Sequence, residues 1–309
     1  MKITVVNLNP SIDWQMATQS FVYGGLNRVV PEGKYPAGKG ISVCGALVNL
    51  GYPVFCTGFN YRENGSFITD ALDKWQVSYD FITVEGAVRT NIKLYDTTKG
   101  TMTELNQPGR FVPESAITLL FEKLSILDQE LLILSGSMPV GVPSDTYKKI
   151  CDLWQGQIIL DAEGEALRLA LEGDKPPYCI KPNLYELEHS FGVKLPTREK
   201  IVAFCKDLIK NHQIEMICVS MGADGVMLVT ATAAFFLPAL DVHVKGVQGA
   251  GDALVAGIAY GITQGKPEPE LLKIAAAAAT ASVIREGTLM CTREDYEFFL
   301  ARMPIPILV

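Results

Sequence analysis

Histidine is scarce. The three in this chain of 309 residues, at positions 189, 212 and 243, have no metal-ligand spacing, so no structural metal is expected. The seven cysteines, at 44, 56, 151, 179, 205, 218 and 291, form no C-x-x-C pair. Their odd number and scattered placement predict buried free thiols in a reducing compartment, not a disulfide framework. Positive charge is also short: 27 Lys and Arg against 34 Asp and Glu leave a formal net charge of -7. That sign argues against nucleic acid as a partner, and any anionic substrate needs a locally basic site. Long apolar runs are missing. The longest helical one, 274–284, is too short to span a bilayer and is mostly alanine. The opening Met1-Lys2-Ile3-Thr4-Val5-Val6 breaks at Asn7 and Pro10, unlike a signal peptide. A cytoplasmic protein without a membrane partner is therefore expected. Linkers, internal repeats and low-complexity tracts are absent too, apart from the alanine run 275–279, which reads as close helix packing.

What is present is an ordinary globular composition, 48% hydrophobic and 20% charged, on a length that suits one large α/β domain or two smaller ones. Short apolar runs at 3–8, 54–57, 131–135, 158–161, 179–181, 216–220 and 226–229 read as strands. Amphipathic segments at 40–50, 65–75, 114–125, 144–154, 184–191 and 198–211 read as helices between them. This alternation predicts a mostly parallel sheet with helices on both faces and functional loops at the carboxyl ends of its strands. Two segments, 13–36 and 89–105, break the pattern. Both look extended, and Asn91-Ile92-Lys93-Leu94-Tyr95 alternates with period two, so a small separate sheet covering the main one is expected.

The most informative motif is Gly249-Ala250-Gly251-Asp252. The alternating segment 241–245 before it predicts a strand, and the apolar run 253–260 after it a helix. Glycines at a helix N-terminus offer free amides to an anion, and a carboxylate in the first turn can take a proton from an attacking hydroxyl. Taken alone, the motif fits a capped helix start equally well. Gly33-Lys34-Tyr35-Pro36-Ala37-Gly38-Lys39-Gly40 nearly matches a P-loop, but Gly40 replaces the magnesium-binding hydroxyl, Pro36 lies inside the loop, and no clear strand is expected before it. A glycine turn opening a helix, with Lys39 aimed at an anion, fits better. Asp13, after the first strand, suits sugar hydroxyls or a turn. Arg28, Arg89 and Lys93 fall in the two odd segments and, with Lys39, are candidates for the basic patch. Lys181-Pro182-Asn183-Leu184-Tyr185-Glu186 has the form of a capping box, and also of a site steering magnesium and phosphate through water. Ser220-Met221-Gly222-Ala223-Asp224-Gly225 reads as a hairpin turn or a nucleotide loop.

In order along the chain, NLNPSID at 7–13, NRV at 27–29, AGKGISV at 37–43, VRTNIKL at 88–94, TELNQPG at 103–109, SGSMP at 135–139, KPNLYELE at 181–188, SMGADGV at 220–226 and GAGD at 249–252 resemble the PfkB/ribokinase-like carbohydrate kinases. The likeness is greatest to their 1-phosphofructokinase and tagatose-6-phosphate kinase branch. The resemblance implies an α/β, ribokinase-like three-layer sandwich over residues 1–309, with a mostly parallel central sheet and a discontinuous β-lid at about 13–36 and 89–105. It implies ATP and Mg2+, a sugar-phosphate substrate, and a homodimer through the lid. The implied reaction is transfer of the γ-phosphate to the 6-hydroxyl of fructose 1-phosphate. A tagatose-6-phosphate kinase, another sugar kinase of the fold, or a sugar-phosphate binder with impaired catalysis are the alternatives.

Carried over by residue, Asp252 is the base, and Gly249, Ala250 and Gly251 stabilise the transferring phosphoryl. Asp13 holds sugar hydroxyls. Gly38, Lys39, Ser42, Arg28, Arg89, Asn91 and Ser137 serve the substrate and its phosphate. Lys181, Asn183, Glu186, Ser220, Gly222 and Gly225 line the nucleotide side, with Glu186 reaching the metal through water. Three positions depart from the family pattern: Ser42 stands for Asn, Val247 for Thr or Ser, and Glu163 for the Ser of D-x-S-G. Ser42 and Val247 shorten or remove polar contacts, and a carboxylate at 163 repels phosphate unless it faces away or meets a cation.

Overall fold

The computed structural model describes residues 1–128, 130–285 and 290–309. The chain opens with β1 (Ile3–Asn7), β2 (Ser11–Thr18), β3 (Val30–Ala37) and α1 (Lys39–Asn49). Then come β4 (Val54–Glu63), α2 (Ser66–Lys74), β5 (Ser78–Ala87), β6 (Arg89–Asp96), β7 (Thr101–Leu105) and α3 (Glu114–Ile126). The middle gives β8 (Leu131–Ser135), α4 (Thr146–Leu153), β9 (Gln157–Asp161), α5 (Gly164–Leu171), β10 (Cys179–Ile180), α6 (Leu184–Phe191), α7 (Arg198–His212) and β11 (Met216–Ser220). A 3-10 turn at Gly222–Asp224 leads to β12 (Val226–Thr230), β13 (Ala234–Leu237), α8 (Ala250–Thr263), α9 (Glu268–Val283), α10 (Arg293–Leu300) and β14 (Ile307–Leu308).

Among the described residues, ten strands form one sheet in the order β14-β13-β12-β11-β10-β9-β8-β1-β4-β5. It is parallel from β5 to β11 and antiparallel beyond. The central strands β1 and β8 are buried at every residue, which is why they read as unbroken apolar runs. Winding reverses between β1 and β8: β1, β4 and β5 step one way, while β8, β9, β10 and β11 step the other. Right-handed crossovers then place α1 and the helices from α3 to α7 on opposite faces. Helix α8 packs with α1, α9 with α8, and α10 with α9, completing the first face. A reversal of this kind opens a crevice at the carboxyl ends of the strands, which is where the site lies.

The two odd segments supply a second, four-stranded sheet in the order β3-β2-β6-β7. The parallel register of β2 with β6 sets Ser11 opposite Arg89, Asp13 opposite Asn91 and Gln15 opposite Lys93. Period-two alternation turns Ser11, Asp13, Arg89, Asn91 and Lys93 to one side of this sheet.

Two sequence expectations are corrected. Residues 241–245 form no strand: Val242 and Val244 line a cavity, and the Lys245 amide donates to the Val283 carbonyl instead of a sheet neighbour. Their alternation reflects a cavity wall, not a buried sheet face. The near-P-loop stretch, for which no clear leading strand is expected, has β3 running through Gly33 to Ala37, while the expected glycine turn opening a helix is present at Gly38 before α1. Strands β5, β13 and β14 and helices α5 and α10 were not anticipated; β5 and β14 are the two edges of the large sheet, where burial patterning is weakest. All seven cysteines are free and buried, as expected.

Candidate active site

The first strand delivers its chain to the small sheet through Leu8-Asn9-Pro10, and β3 returns it to Gly38 at the start of α1. Gly38 has φ 108°, and a Cβ there would lie 3.0–3.3 Å from Asn7 Oδ1, Pro10 Cα and the Asn9 carbonyl, so only glycine fits. Lys39 follows as the first residue of α1. A cation at that end opposes the helix dipole, so carboxylates must hold it. They do: Lys39 Nζ lies 3.3 Å from Asp161 Oδ2 and 3.7 Å from Glu186 Oε1. Burial works against the ammonium, but Asp161, Glu186 and Asp252 outweigh it and hold its pKa above the usual range.

Asp161 closes β9 and is fully buried. Burial pushes its pKa up, yet Lys181 at 3.2 Å, Lys39 and the Ser135 hydroxyl at 2.9 Å bring it below the usual carboxylate value. Lys181, itself buried, follows β10. A Cβ on Gly251 would lie 3.6 Å from its Nζ, so this ammonium sits against the GAGD turn.

That turn opens α8. Gly249 is the residue before the helix, with φ 75°, and a Cβ there would meet Met290 Cε at 2.2 Å. The Gly251 and Asp252 amides in the first turn of α8 have no intrahelical partner by geometry and form an anion nest, while the Ala250 amide donates to the Val247 carbonyl at 3.4 Å. Asp252 lies in that turn, 8% exposed. Burial first, then the Asp161 charge, raise its pKa to about 7, against the pull of Lys39, Lys181 and a hydrogen bond from Ser42. A carboxyl poised near neutrality is matched to general-base work. Ser42, the first departure from the family pattern, therefore supports the carboxylate of Asp252.

On the small sheet, Asp13 Oδ1 accepts from Asn91 Nδ2 at 2.9 Å and from Ser11 Oγ at 3.3 Å. Its Oδ2 is 4.0 Å from Lys93 Nζ. Burial raises the Asp13 pKa, countered by Lys93, Asn91, Ser11 and Arg89. Arg89 donates to the Gln107 carbonyl at 2.8 Å and to the Asn9 carbonyl at 3.2 Å. Its buried Nε has no partner among the described residues. Burial lowers the Arg89 pKa, and the nearby Asp13 charge offsets only part of that cost.

On the far side, Asn183 and Glu186 do form a capping box at α6: the Glu186 amide donates to Asn183 Oδ1 at 2.7 Å and the Asn183 amide to Glu186 Oε2 at 2.8 Å. Glu186 Oε1 is left facing Lys39. Ser220 bridges to Asn183, and Gly222 and Gly225 shape the turn after β11.

These groups converge on one cavity of about 1320 Å³. Single-ligand sites run from about 300 to 1,000 Å³, so this one has room for two substrates. Asp13, Gly38, Lys39, Ser42, Arg89, Asn91, Lys181, Asn183, Glu186, Ser220, Gly222, Gly225 and the GAGD turn all reach it. Arg28 and Ser137 do not. Arg28 is exposed on the connection between β2 and β3 and touches Thr18 through its backbone, because the strands of a small sheet carry their loop away from the crevice. Ser137 is exposed beside Asn9, whose Nδ2 donates to it at 3.1 Å. Glu163 is exposed before α5 and is not on the cavity wall, while Val247, 74% exposed, is. Sequence reading missed Asp161 as the hub of the site. A charged residue closing the apolar run 158–161, at a strand's carboxyl end, was the available signal. It also missed Ser11, Glu104 and Gln248, which only strand register and tertiary contact bring to the cavity.

Comparison with known proteins fits this geometry. The family model for pfkB family carbohydrate kinases matches residues 2–295. A 1-phosphofructokinase of Bacillus subtilis is 33% identical over 288 residues, 92% of this chain and 93% of that one. One from Borreliella burgdorferi is 30% identical over 309 residues, 98% of each. The crystal structure of a possible 1-phosphofructokinase from Thermotoga maritima covers 100% of both chains with TM-score 0.89 and 26% identity. Phosphofructokinase-2 from Escherichia coli in complex with fructose-6-phosphate shares the fold at TM-score 0.90 and 22% identity, over 98% of this chain and 99% of that one. The fold is thus ribokinase-like. The chain belongs to the pfkB family of carbohydrate kinases, phosphotransferases with an alcohol group as acceptor.

Proposed function

We propose that the chain transfers the γ-phosphate of ATP to the 6-hydroxyl of fructose 1-phosphate, giving fructose 1,6-bisphosphate. The observation that carries this reading is the arrangement of one cavity, with the near-neutral Asp252 beside an anion nest at one end and, at the other, the half-buried Arg89 guanidinium, whose buried Nε has no partner among the described residues. An acceptor that is already phosphorylated meets the second feature; a neutral sugar leaves it unused. The names of the relatives in Bacillus subtilis and Borreliella burgdorferi support the same substrate.

In this mechanism the small sheet is a lid over the acceptor. Arg89 binds the sugar's phosphate, and Asp13, oriented by Asn91 and Ser11, accepts hydrogen bonds from ring hydroxyls. Asp252 takes the proton of the attacking hydroxyl as its oxygen bonds to the γ-phosphorus and the bond to the bridging oxygen of ADP breaks. The amides of Gly249–Gly251 and the Lys181 ammonium hold the charge on the transferring group. Lys39, fixed between Asp161 and Glu186, keeps an ammonium on the floor of the site.

No group of three or more potential metal ligands occurs among the described residues, which suits magnesium, since it arrives with phosphates and keeps its waters. Glu186 and Asn183, committed to the capping box, would hold it through water, and it would supply neutralisation of the triphosphate. Ser220, Gly222 and Gly225 line the nucleotide end. A homodimer through the lid is supported by exposed apolar residues on the small sheet and its connection, among them Val22, Leu26, Val29 and Val30. The test is ADP release with ATP and magnesium across a panel of sugars and sugar phosphates. Turnover of fructose 1-phosphate above all others is expected. Preference for tagatose 6-phosphate would move the substrate, turnover only of unphosphorylated sugars would sink the Arg89 argument, and binding without turnover would make the chain a sugar-phosphate binder.

A further inference from the structure

Lys93 and Glu104 line the cavity, yet the chemistry above uses neither. Lys93 follows Arg89 and Asn91 in the inward row of β6 and has a side chain only 7% exposed. Its cross-strand partner on β7 is Glu104, with Nζ to Oε2 at 2.6 Å. Asp13 Oδ2 lies farther off, at 4.0 Å. The second oxygen of Glu104 accepts from Gln248 Nε2 at 3.0 Å. Gln248 immediately precedes Gly249, so one carboxylate joins the small sheet to the turn that carries the anion nest. Burial disfavours the Glu104 charge, but Lys93, Gln248 and Asn106 overcome it and keep its pKa low.

We propose that Glu104 is a positioning residue with two tasks. It draws Lys93 away from Asp13, leaving Asp13 Oδ2 to receive a sugar hydroxyl. Through Gln248 it latches the small sheet over the nest, so that water is excluded while ATP is bound. Without the latch, water takes the place of the sugar hydroxyl: its oxygen bonds to the γ-phosphorus, its proton leaves, and ADP and inorganic phosphate are released. This inference rests on the kinase reading of the same site.

The experiment compares wild type, Glu104→Gln, Gln248→Ala and the double variant Glu104→Ala with Gln248→Ala. The readouts are KM for fructose 1-phosphate, kcat, inorganic phosphate formed per bisphosphate, and hydrogen exchange of the β7 amides without ligand. Gln248→Ala is expected to raise wasted hydrolysis about tenfold with KM little changed, as loss of lid closure does. Glu104→Gln keeps an amide contact to Gln248 but frees Lys93 toward Asp13, so KM is expected to rise about tenfold. The double variant should waste no more ATP than Gln248→Ala, since both substitutions break one contact. Unchanged hydrolysis in Gln248→Ala, or unchanged KM in Glu104→Gln, overturns the proposal. Wild type inactive on every sugar phosphate defeats the kinase reading instead. The latch is then judged by exchange alone: faster β7 exchange in Gln248→Ala upholds it, and unchanged exchange overturns it.

Discussion

The two ends of the cavity are built differently. At the nest end, α1 begins at Lys39, β8 ends at Ser135 and Lys181 follows β10, and Asp161 at the end of β9 grips all three at 2.9–3.4 Å. The position of each group is fixed several times over, and all belong to the large sheet or its helices. The acceptor end is a small sheet whose connection between β2 and β3 exposes Val22, Tyr23 and Leu26, and which meets the nest loop through Glu104 and Gln248. In the proposed mechanism, chemistry falls to groups of the large sheet and acceptor recognition to the small one. Substitutions at the first end should act on kcat, and those at the second on KM.

The sharpest break in this contrast is Asp252→Asn. Loss of a general base is expected to lower kcat by about 10²- to 10⁴-fold while sugar-phosphate binding, measured by calorimetry, persists. Unchanged turnover would remove Asp252 from the mechanism. The same substitution has a stability signature of opposite sense. The folded-state pKa of about 7 lies above the unfolded value, so between about pH 4 and pH 7 the native state holds the extra proton and stability falls as pH rises. Asp252→Asn removes that penalty and should raise Tm at pH 8 but not at pH 4. At the other end, Arg89→Ala loses charge-assisted bonds worth about 1.5–3 kcal/mol, so KM for fructose 1-phosphate should rise roughly 10- to 100-fold with a smaller effect on kcat. A fall in kcat with KM unchanged would erase the division between the ends.

A finer test lies where the ends differ in electrostatics. The rate should fall as pH drops through about 7, where Asp252 takes up its proton. Ser42 favours the charged form of that carboxylate, so Ser42→Ala should move the acidic limb of kcat upward by up to about one pH unit, the worth of one hydrogen bond. No movement would return Ser42 to a sugar contact alone.

The same contrast explains what sequence could reveal. The nest end is made of contiguous motifs, GAGD after a loop and KPNLYE at a helix start, whose glycine, capping and charge signals are local, and they were legible. The alternation of 91–95 likewise announced β6. Pairing was not legible. Nothing local says that Lys93 faces Glu104 or that Glu104 reaches Gln248, because register between strands and contact across 144 residues are tertiary facts. Arg28 shows the converse: its charge suits a phosphate, but it sits exposed on the connection between β2 and β3 and does not line this chain's cavity. Residues 241–245 show that alternation alone does not distinguish a strand from a cavity wall.

The smallest expected effect concerns Glu163. A carboxylate at that position in the loop after β9 is troubling on sequence grounds, since bound phosphates lie close by in the chain's likeness to its family. In the structure it precedes α5, exposed, and does not line the cavity that Asp161 lines. A surface substitution there is expected to change stability by no more than about 0.5 kcal/mol. Glu163→Ser should therefore leave kcat/KM for both substrates within about twofold of wild type, as a remote and solvent-screened charge allows. A rise well beyond that, strongest at low salt, would mean that Glu163 feels the triphosphate after all, and that the nest end is tuned by charges outside its buried network.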